Sequence, residues 1–392
     1  MLKSHLDYIL FQVLEKEPAL SDIILTPYVP IKAAVYGEVK SLNIEDIEAL
    51  TPFQIEAMAI SMIGPNKHLY KDLALQGACD FAYALPNKER FRVNVFYQKG
   101  SLAVVMRKLL PRIPTIEELK LPDVFKRMAR ERFGLILVTG GTGTGKSTSL
   151  AAVINEINEN FARHIITLED PIEFFHFHKK SVINQRELGT DFTSFASGLR
   201  SALRQAPHII LVGEIRDKET VTTALEAAET GHLVLGTLHT SDAGQTIHRI
   251  TGLFDLEEER LVRSRLSESL KYVVSQRIMP KVGGGRIVAF EVMTKNLRIR
   301  DLIVNGERED RTFYDVISQS EAYGMFTFDQ CLASYYEQGL ITEEIAMQFC
   351  SDRSRLKMLL DKIKAKRGEK LSEIDGLELD LSYDEENKMG RL

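Results

Sequence analysis

The spacing of apolar and polar residues changes character about one third of the way along the chain. Up to residue 112, apolar and polar residues alternate over short runs bounded by turn residues, as at Arg90–Val95, and this alternation predicts strands with one exposed face. After residue 125, wholly apolar runs such as Leu135–Val138 are separated by stretches of helical spacing, which predicts parallel strands with helices on both sides. The pattern therefore predicts two domains of different fold class.

The N-terminal part, residues 1–112, is predicted to be an α+β domain with an antiparallel sheet. Residues 3–16 place apolar side chains at helical spacing and carry few basic residues, so a helix packed on its own domain is favoured over one that lies on a membrane. The remaining pattern predicts helices at Thr51–Ile63 and Lys67–Leu75, and strands at Asp22–Leu25, Ile31–Tyr36, Asp80–Leu85 and Arg90–Tyr97.

The last predicted hairpin of this domain carries two arginines that face each other. If Gln98–Ser101 is its turn, Tyr97 pairs with Leu102. Arg92 then lies opposite Arg107 on the same face of the sheet. Two like charges in this arrangement are destabilising unless an anion lies between or near them. The residues alone leave two interpretations open, an anion-binding pair and a solvated basic face.

Residues 113–124, which include Pro114 and Pro122, are predicted to link the two domains. Residues 125–366 are predicted to form a parallel sheet flanked by helices, with strands at Leu135–Val138, Ile165–Leu168, Ile209–Val212, Leu233–Leu238 and, at an edge, Ile287–Val292. The chain after this last strand is predicted to be helical, and the charge-rich residues 367–392 to be disordered.

The residues Gly140–Ser147, directly after the first apolar strand, form a nucleotide-binding motif. They match G-x-x-x-x-G-K-[ST] between a predicted strand and a predicted helix, which is the context that this motif requires. Glycines let backbone N–H groups surround a phosphate chain, and the helix N-terminus adds a favourable dipole. Lys146 can reach the β- and γ-phosphates, and the Ser147 hydroxyl can bind Mg²⁺. The predicted nucleotide-binding residues are Gly140, Gly141, Thr142, Gly143, Thr144, Gly145, Lys146, Ser147 and Thr148.

Acidic residues follow two of the predicted strands, at the sheet edge that carries this loop. Glu169 and Asp170 follow one strand, and Glu214 follows another. Because ligands bind at the carboxyl ends of parallel strands, both positions are candidates for orienting water or holding a metal ion. Gly213 stands where a metal-binding Asp is usual, so Glu214 is expected to act on the metal indirectly or through water. For Asp170, capping of a helix is the alternative.

Two histidines frame the predicted strand Leu233–Leu238. His239 ends it at the same sheet edge, and it is a candidate for sensing the γ-phosphate or a neighbouring subunit, with a structural role as the alternative. His232 lies at the opposite end and is expected to pack or cap.

Composition and absent motifs argue against several classes of function and location. The 392 residues carry a net charge of −5 and no basic stripe with interleaved aromatic residues, which argues against nucleic acid as a partner. The three cysteines form no C-x-x-C pair, so a reducing cytoplasm is expected. No apolar run approaches the length of a membrane span, and any membrane contact is expected to be peripheral. No N-K-x-D motif is present, which argues against a GTPase.

Four segments, taken in order, resemble the signature boxes of the secretion and type IV pilus ATPases. They correspond to the Walker A, Asp, atypical Walker B and His boxes of that family, and they are Gly140–Ser147, Glu169–Phe174, Ile209–Asp217 and Thr230–Thr240. Arg90–Asn94 resembles the arginine-bearing end of the family's PAS-like N-terminal domain. Within the family the chain is most similar to the retraction motors of twitching motility, because its N-terminal region is short, it has no four-cysteine insert, and Asn184–Glu187 follows the Asp box.

The resemblance implies a P-loop, RecA-like α/β ATPase domain behind a PAS-like domain, with ATP and Mg²⁺ as cofactors. It implies that Lys146 holds the phosphates, that Ser147 and Glu214 serve the metal, and that Glu169 orients or deprotonates water, although the two glutamates could exchange roles. Arg92 and Arg107 would neutralise the γ-phosphate in trans. The implied assembly is a homohexamer at the cytoplasmic face of the inner membrane, which acts on a pilus through a platform protein and could work with a paralogous retraction ATPase.

Two features depart from the family pattern. The segment Ser21–Leu25 lacks a histidine that is often found there, and Arg298–Ile303 differs from the usual retraction motif, Ala-Ile-Arg-Asn-Leu-Ile, at its first and fourth residues. Primary and accessory retraction motors therefore both stay open, as do an assembly or secretion ATPase of the same family and, from another class, a RecA-like nucleic-acid motor.

Overall fold

The computed structural model describes residues 3–35, 38–44, 47–86, 89–109 and 112–368. The last residue of the predicted strand Ile31–Tyr36 and nearly all of the tail predicted to be disordered, 369–392, lie outside the described residues. Among the described residues, no helix combines the length and the apolar character needed to cross a bilayer.

The N-terminal domain is built on a six-stranded antiparallel sheet with the strand order β3-β2-β1-β6-β5-β4. Its alternating sequences bury every second side chain, as the pattern predicted. The strands are β1 (Asp22–Leu25), β2 (Lys32–Val35), β3 (Glu38–Ser41), β4 (Ala78–Ala84), β5 (Arg90–Gln98) and β6 (Ser101–Lys108). The helices are α1 (Lys3–Lys16), α2 (Pro52–Ile63) and α3 (Lys67–Gln76).

Two details of this domain confirm the sequence predictions. In the β5–β6 hairpin, Tyr97 pairs with Leu102 and Arg92 with Arg107. Helix α1 packs on its own domain, where its apolar face joins the core. The Tyr83 hydroxyl also donates a 2.6 Å hydrogen bond to the buried Asp7 carboxylate of α1, and this bond fixes the helix against β4.

The second domain is built on a seven-stranded sheet with the order β13-β12-β7-β11-β10-β8-β9. Its strands run parallel except at one edge, where β13 is antiparallel to β12. Every residue of β7, β10 and β11 is buried, as expected for strands with helices on both faces. The strands are β7 (Gly134–Thr139), β8 (His164–Glu169), β9 (Val182–Glu187), β10 (Ile209–Val212), β11 (Leu233–Leu238), β12 (Leu270–Pro280) and β13 (Arg286–Thr294).

Helices cover both faces of this sheet. One core forms between the sheet and α4 (Val124–Arg130) and α5 (Lys146–Asn160). The opposite core is formed mainly by α6 (Phe195–Ala202), α7 (Lys218–Glu229), α8 (Ala243–Thr251), α9 (Leu256–Ser269), α10 (Leu297–Asn305) and α11 (Phe313–Ser318). A further apolar cluster joins the antiparallel edge to α12 (Phe328–Glu337), α13 (Glu343–Phe349) and α14 (Arg353–Lys366).

Three strands went unrecognised in the sequence, each for a physical reason. All four residues of β3 are exposed, so no apolar signal marks it. Strand β9 is a polar edge strand in which only Ile183 and Glu187 are buried. Strand β12 begins at the residue after α9, so its apolar residues continue a helical pattern without a turn signal.

Candidate nucleotide site

The glycine loop between β7 and α5 lies against the backbone of β12. Gly140 has φ +144°, and a Cβ atom there would lie 2.5 Å from the Gln276 carbonyl oxygen. Only glycine permits this approach without a shift of the backbone. Gly143 and Gly145 also have positive φ. The loop therefore takes a path that brings its backbone around the start of α5, as phosphate binding requires.

Side chains of β12 also form hydrogen bonds to the segments on both sides of the glycine loop. Gln276 Nε2 donates a 2.7 Å hydrogen bond to Ser149 Oγ in the first turn of α5. At the end of β7, Thr139 Oγ1 donates to Ser275 Oγ at 2.9 Å. Both bonds are buried. Sequence reasoning missed these supports because it did not recognise β12.

The Lys146 ammonium group is held at the mouth of the loop. It donates 2.8 Å hydrogen bonds to the carbonyl oxygens of Gly140 and Gly141. Burial lowers the pKa of Lys146, and the negative charges of Glu214 and Glu173 oppose that shift. A buried cation whose short hydrogen bonds go to neutral carbonyl groups is incompletely compensated, so the anionic oxygens of a phosphate chain are better partners for it.

Glu214, which follows β10, lies near the Lys146 ammonium group. Its Oε1 lies 3.8 Å from His239 Nε2, and its Oε2 lies 3.6 Å from Arg216 Nη1. The other nitrogen of His239, Nδ1, is 3.5 Å from Lys146 Nζ. The structure thus brings together three of the predicted residues, Lys146, Glu214 and His239.

Gly213 is needed before Glu214 because two strands converge there. A Cβ atom at Gly213 would lie 2.9 Å from the Leu168 carbonyl oxygen, and the Gly213 amide already donates to that oxygen at 2.7 Å. The acidic side chain is therefore that of Glu214, one residue after the position where an aspartate is usual.

Glu169, at the end of β8, is half-buried. Its Oε1 accepts hydrogen bonds from Thr167 Oγ1 at 2.6 Å and from Gln185 Nε2 at 3.0 Å. Burial raises the pKa of Glu169 to about 7 in spite of these two donors. A carboxylate whose pKa lies near neutral pH is suited to accept a proton. The roles of Thr167 and Gln185 were not predicted, because the sequence did not show which residues face Glu169.

Asp170 is not a helix cap, so that alternative is wrong. The described chain after it, up to β9, contains bends and no helix. Burial raises the pKa of Asp170, while the positive charges of Arg92 and Arg216 lower it. Arg92 of the N-terminal domain therefore lies within electrostatic reach of the second domain of its own chain.

The two facing arginines have partners within the N-terminal sheet. Arg107 Nε donates to Asp22 Oδ1 at 2.8 Å, and Arg92 Nε lies 3.9 Å from Asp80 Oδ1. These carboxylates from the neighbouring strands are negative charges that relieve the repulsion, so the two interpretations of the pair, an anion-binding pair and a solvated basic face, both stay open. Arg107 keeps 69% of its side chain exposed and Arg92 keeps 43%, and both can still contact another molecule.

His232 has the structural role that was expected. Its Nδ1 lies 3.0 Å from the Ala227 carbonyl oxygen and 3.3 Å from Thr230 Oγ1, at the end of α7. His239 is different, because it lies between Lys146 and Glu214.

The donor set fits a magnesium ion that is bound jointly with phosphates. Ser147 is exposed in the first turn of α5, and Glu214 keeps 28% of its side chain exposed. Within the described ranges, no group of three or more His, Cys, Asp or Glu side chains could hold a metal ion. Mg²⁺ usually takes one or two protein ligands, with water and substrate phosphates completing the octahedron. Ser147, with Glu214 acting through water, meets that requirement.

Comparison with known proteins shows the family of this chain. Residues 82–310 match the family model of the type II/IV secretion system protein. The type IV pilus retraction ATPase PilT of Pseudomonas aeruginosa is 44% identical over 84% of this chain and 93% of its own length. The type IV pilus ATPase PilU of the same organism is 38% identical over 93% of this chain and 94% of its own.

Two solved structures have the same fold. A crystal structure of the pilus retraction motor PilT with bound ADP aligns with a TM-score of 0.80 and 44% identity, over 90% of this chain and 98% of that one. The ATPase DotB of Legionella pneumophila aligns with a TM-score of 0.77 and 29% identity, over 89% of this chain and 95% of that one.

Lys146→Ala should abolish ATP hydrolysis and leave the fold intact, because the ammonium group contacts the loop and not the apolar core. Turnover, nucleotide binding and the melting temperature should be measured together. Lys357→Ala, at an exposed position of α14, is the matched control and should behave as the wild type. Near-normal turnover in Lys146→Ala would exclude this loop as the phosphate site.

Proposed function

Because this chain belongs to the type II/IV secretion system protein family and matches its PilT- and PilU-type ATPases over most of its length, we propose that it hydrolyses ATP to retract a type IV pilus in twitching motility. The observation that carries the proposal is the convergence of Lys146, Glu169, Glu214 and His239 on the carboxyl edge of one sheet. The N-terminal domain, with its antiparallel sheet, is then the PAS-like domain of the family.

In hydrolysis, water attacks the γ-phosphorus in line with the bond from that phosphorus to the oxygen bridging the β- and γ-phosphates. That bond breaks to give ADP and phosphate. We assign the phosphate contacts to the backbone of Gly140–Gly145 and to Lys146. Mg²⁺, held by Ser147 and by Glu214 through water, would supply charge neutralisation at the phosphate oxygens.

Glu169 is the candidate to accept the proton of the attacking water. Its support is the raised pKa and the position at the carboxyl end of β8. Thr167 and Gln185 both bond to its Oε1 and so fix the orientation of the carboxyl group. Oε2 is the atom assigned to the water. Glu214, which is more open to solvent and close to Lys146 and His239, suits the metal and its waters better.

The proposed assembly is a homohexamer that acts on an inner-membrane platform protein at the cytoplasmic face of the membrane. Support comes from the family, and from two exposed arginines of the N-terminal domain that could complete the site of a neighbouring subunit. A paralogous retraction ATPase is a further candidate partner, because the chain matches both PilT and PilU.

Deletion of the gene tests the proposed function. A strain without the protein should lose twitching and keep or accumulate surface pili, and the wild-type gene should restore motility where Lys146→Ala does not. Pili counted by electron microscopy and colony spreading are the two measurements. An assembly motor predicts the opposite result, a strain without surface pili.

Glu169→Gln keeps the shape and hydrogen bonding of the side chain and removes its basicity. It should bind ATP normally and turn it over about 10²-fold more slowly. In the wild type, kcat/KM should rise with pH through about 7, because the unprotonated form of Glu169 is the active one and its pKa is about 7. This rise should be absent in Glu169→Gln. If Glu214→Gln shows the whole pattern and Glu169→Gln stays active, the two roles are exchanged.

Arg92 and Arg107 are proposed to meet the γ-phosphate of a neighbouring subunit. Replacing either with alanine should lower turnover by about 10³-fold with a much smaller effect on ATP affinity. Mixing Arg92→Ala chains with Lys146→Ala chains should restore activity, since some interfaces then pair an intact loop with an intact arginine. Confirmed mixed hexamers without rescue would contradict the trans assignment and favour action on the chain's own site, near Asp170.

A further inference from the structure

The loop that follows Glu169 is where the N-terminal domain contacts the catalytic edge of the sheet. The guanidinium group of Arg90, the first residue of β5, stacks on the ring of Phe175 in that loop. Arg90 Nε is buried and has no hydrogen-bond partner. Burial lowers the pKa of Arg90 to about 10, while the negative charges of Glu187 and Glu169 favour its protonated form. The cation therefore faces an aromatic ring on one side and acidic groups of the ATPase domain nearby.

One side chain connects the Phe175 loop to Glu169. Gln185 Oε1 accepts a 2.9 Å hydrogen bond from the His176 amide, and Gln185 Nε2 donates a 2.8 Å bond to the Phe174 carbonyl. Gln185 thus holds the backbone on both sides of Phe175. The same Nε2 atom donates to Glu169 Oε1 at 3.0 Å. A shift of this loop must therefore move the amide that orients the glutamate, or break its bonds.

A second contact joins the same two domains. Glu187, two residues after Gln185 on β9, is buried and accepts a 3.1 Å hydrogen bond from the Ile172 amide in the loop. Its carboxylate is also hydrogen-bonded to the backbone of Ala82 in β4. The N-terminal domain is thus tied to the start of the loop through Glu187 and to its middle through Arg90.

We propose that Arg90 is a positioning residue for hydrolysis. While the two domains are in contact, Arg90 holds Phe175 and its neighbours against Gln185, and Gln185 in turn keeps Glu169 oriented. The proposal rests on the proposed ATPase function and on the role of Glu169 in it. When the domains separate, Arg90 leaves Phe175, the loop is freed and the orientation of Glu169 is lost. Hydrolysis is then tied to contact between the domains of one chain, and Arg90 itself touches neither nucleotide nor water.

The test is a set of single and double variants of the full chain, assayed as assembled hexamers. Arg90→Met keeps the aliphatic stem and removes the cation, Phe175→Leu removes the ring, and Gln185→Ala removes the connecting amide. Each should lower kcat by about 10-fold with KM for ATP unchanged, because displacement of a catalytic group by about 1 Å costs up to about 10²-fold. Arg90→Met combined with Gln185→Ala should be no slower than the slower single variant, since both act through one connection.

Two controls separate positioning from a general structural role. Phe175→Tyr keeps the ring and should retain near wild-type kcat. Arg286→Met removes an exposed arginine, the first residue of β13, and should change nothing. The proposal would be overturned if the loss of kcat in the double variant were the product of the losses in Arg90→Met and Gln185→Ala. Wild-type kcat in Arg90→Met would also overturn it. A wild-type chain that hydrolyses no ATP would instead overturn the proposed function.

Discussion

The nucleotide site depends on how closely backbone segments approach one another at the carboxyl edge of the sheet. The glycine loop can pass β12 only because Gly140 has no Cβ atom to meet the Gln276 carbonyl. On the other side of the site, Gly213 lets the chain that follows β10 bond to the end of β8. These two close backbone contacts determine the positions of Lys146 and Glu214. An alanine at either position would force the backbones apart and move the charged groups with them.

Electrostatics then divides the two carboxylates between different tasks. Burial raises the pKa of Glu169 to about 7, against the opposing effect of the hydrogen bonds from Thr167 and Gln185. Glu214 remains partly exposed, beside His239 and near the positive charge of Lys146. Pairs of acids whose surroundings separate their pKa values commonly divide acid–base and charge-stabilising roles in this way. The N-terminal domain enters this arrangement through Arg90 and Glu187, which contact the loop between β8 and β9.

Sequence patterns predicted the features that depend on nearby residues. The glycine loop, the buried strands β7, β10 and β11, and the Arg92–Arg107 register follow from local motifs, from wholly apolar runs and from strict alternation. The partners of those arginines could not be predicted, because Asp22 and Asp80 lie on strands that reach them only through long-range pairing. Gln276 and Gln185 escaped notice for a related reason. Each lies on a strand that the sequence pattern did not reveal, because β12 follows a helix without a turn signal and β9 is a polar edge strand.

The most direct test of the central claim is a crystal structure of the protein with Mg²⁺ and a non-hydrolysable ATP analogue. We expect the Lys146 ammonium group to have left the Gly140 and Gly141 carbonyls for the phosphates. We also expect a water within about 3 Å of Glu169, in line with the γ-phosphorus, and an intact bond from Gln185 to that carboxylate. A water held in line by Glu214, with Glu169 directed away from the γ-phosphate, would contradict these assignments.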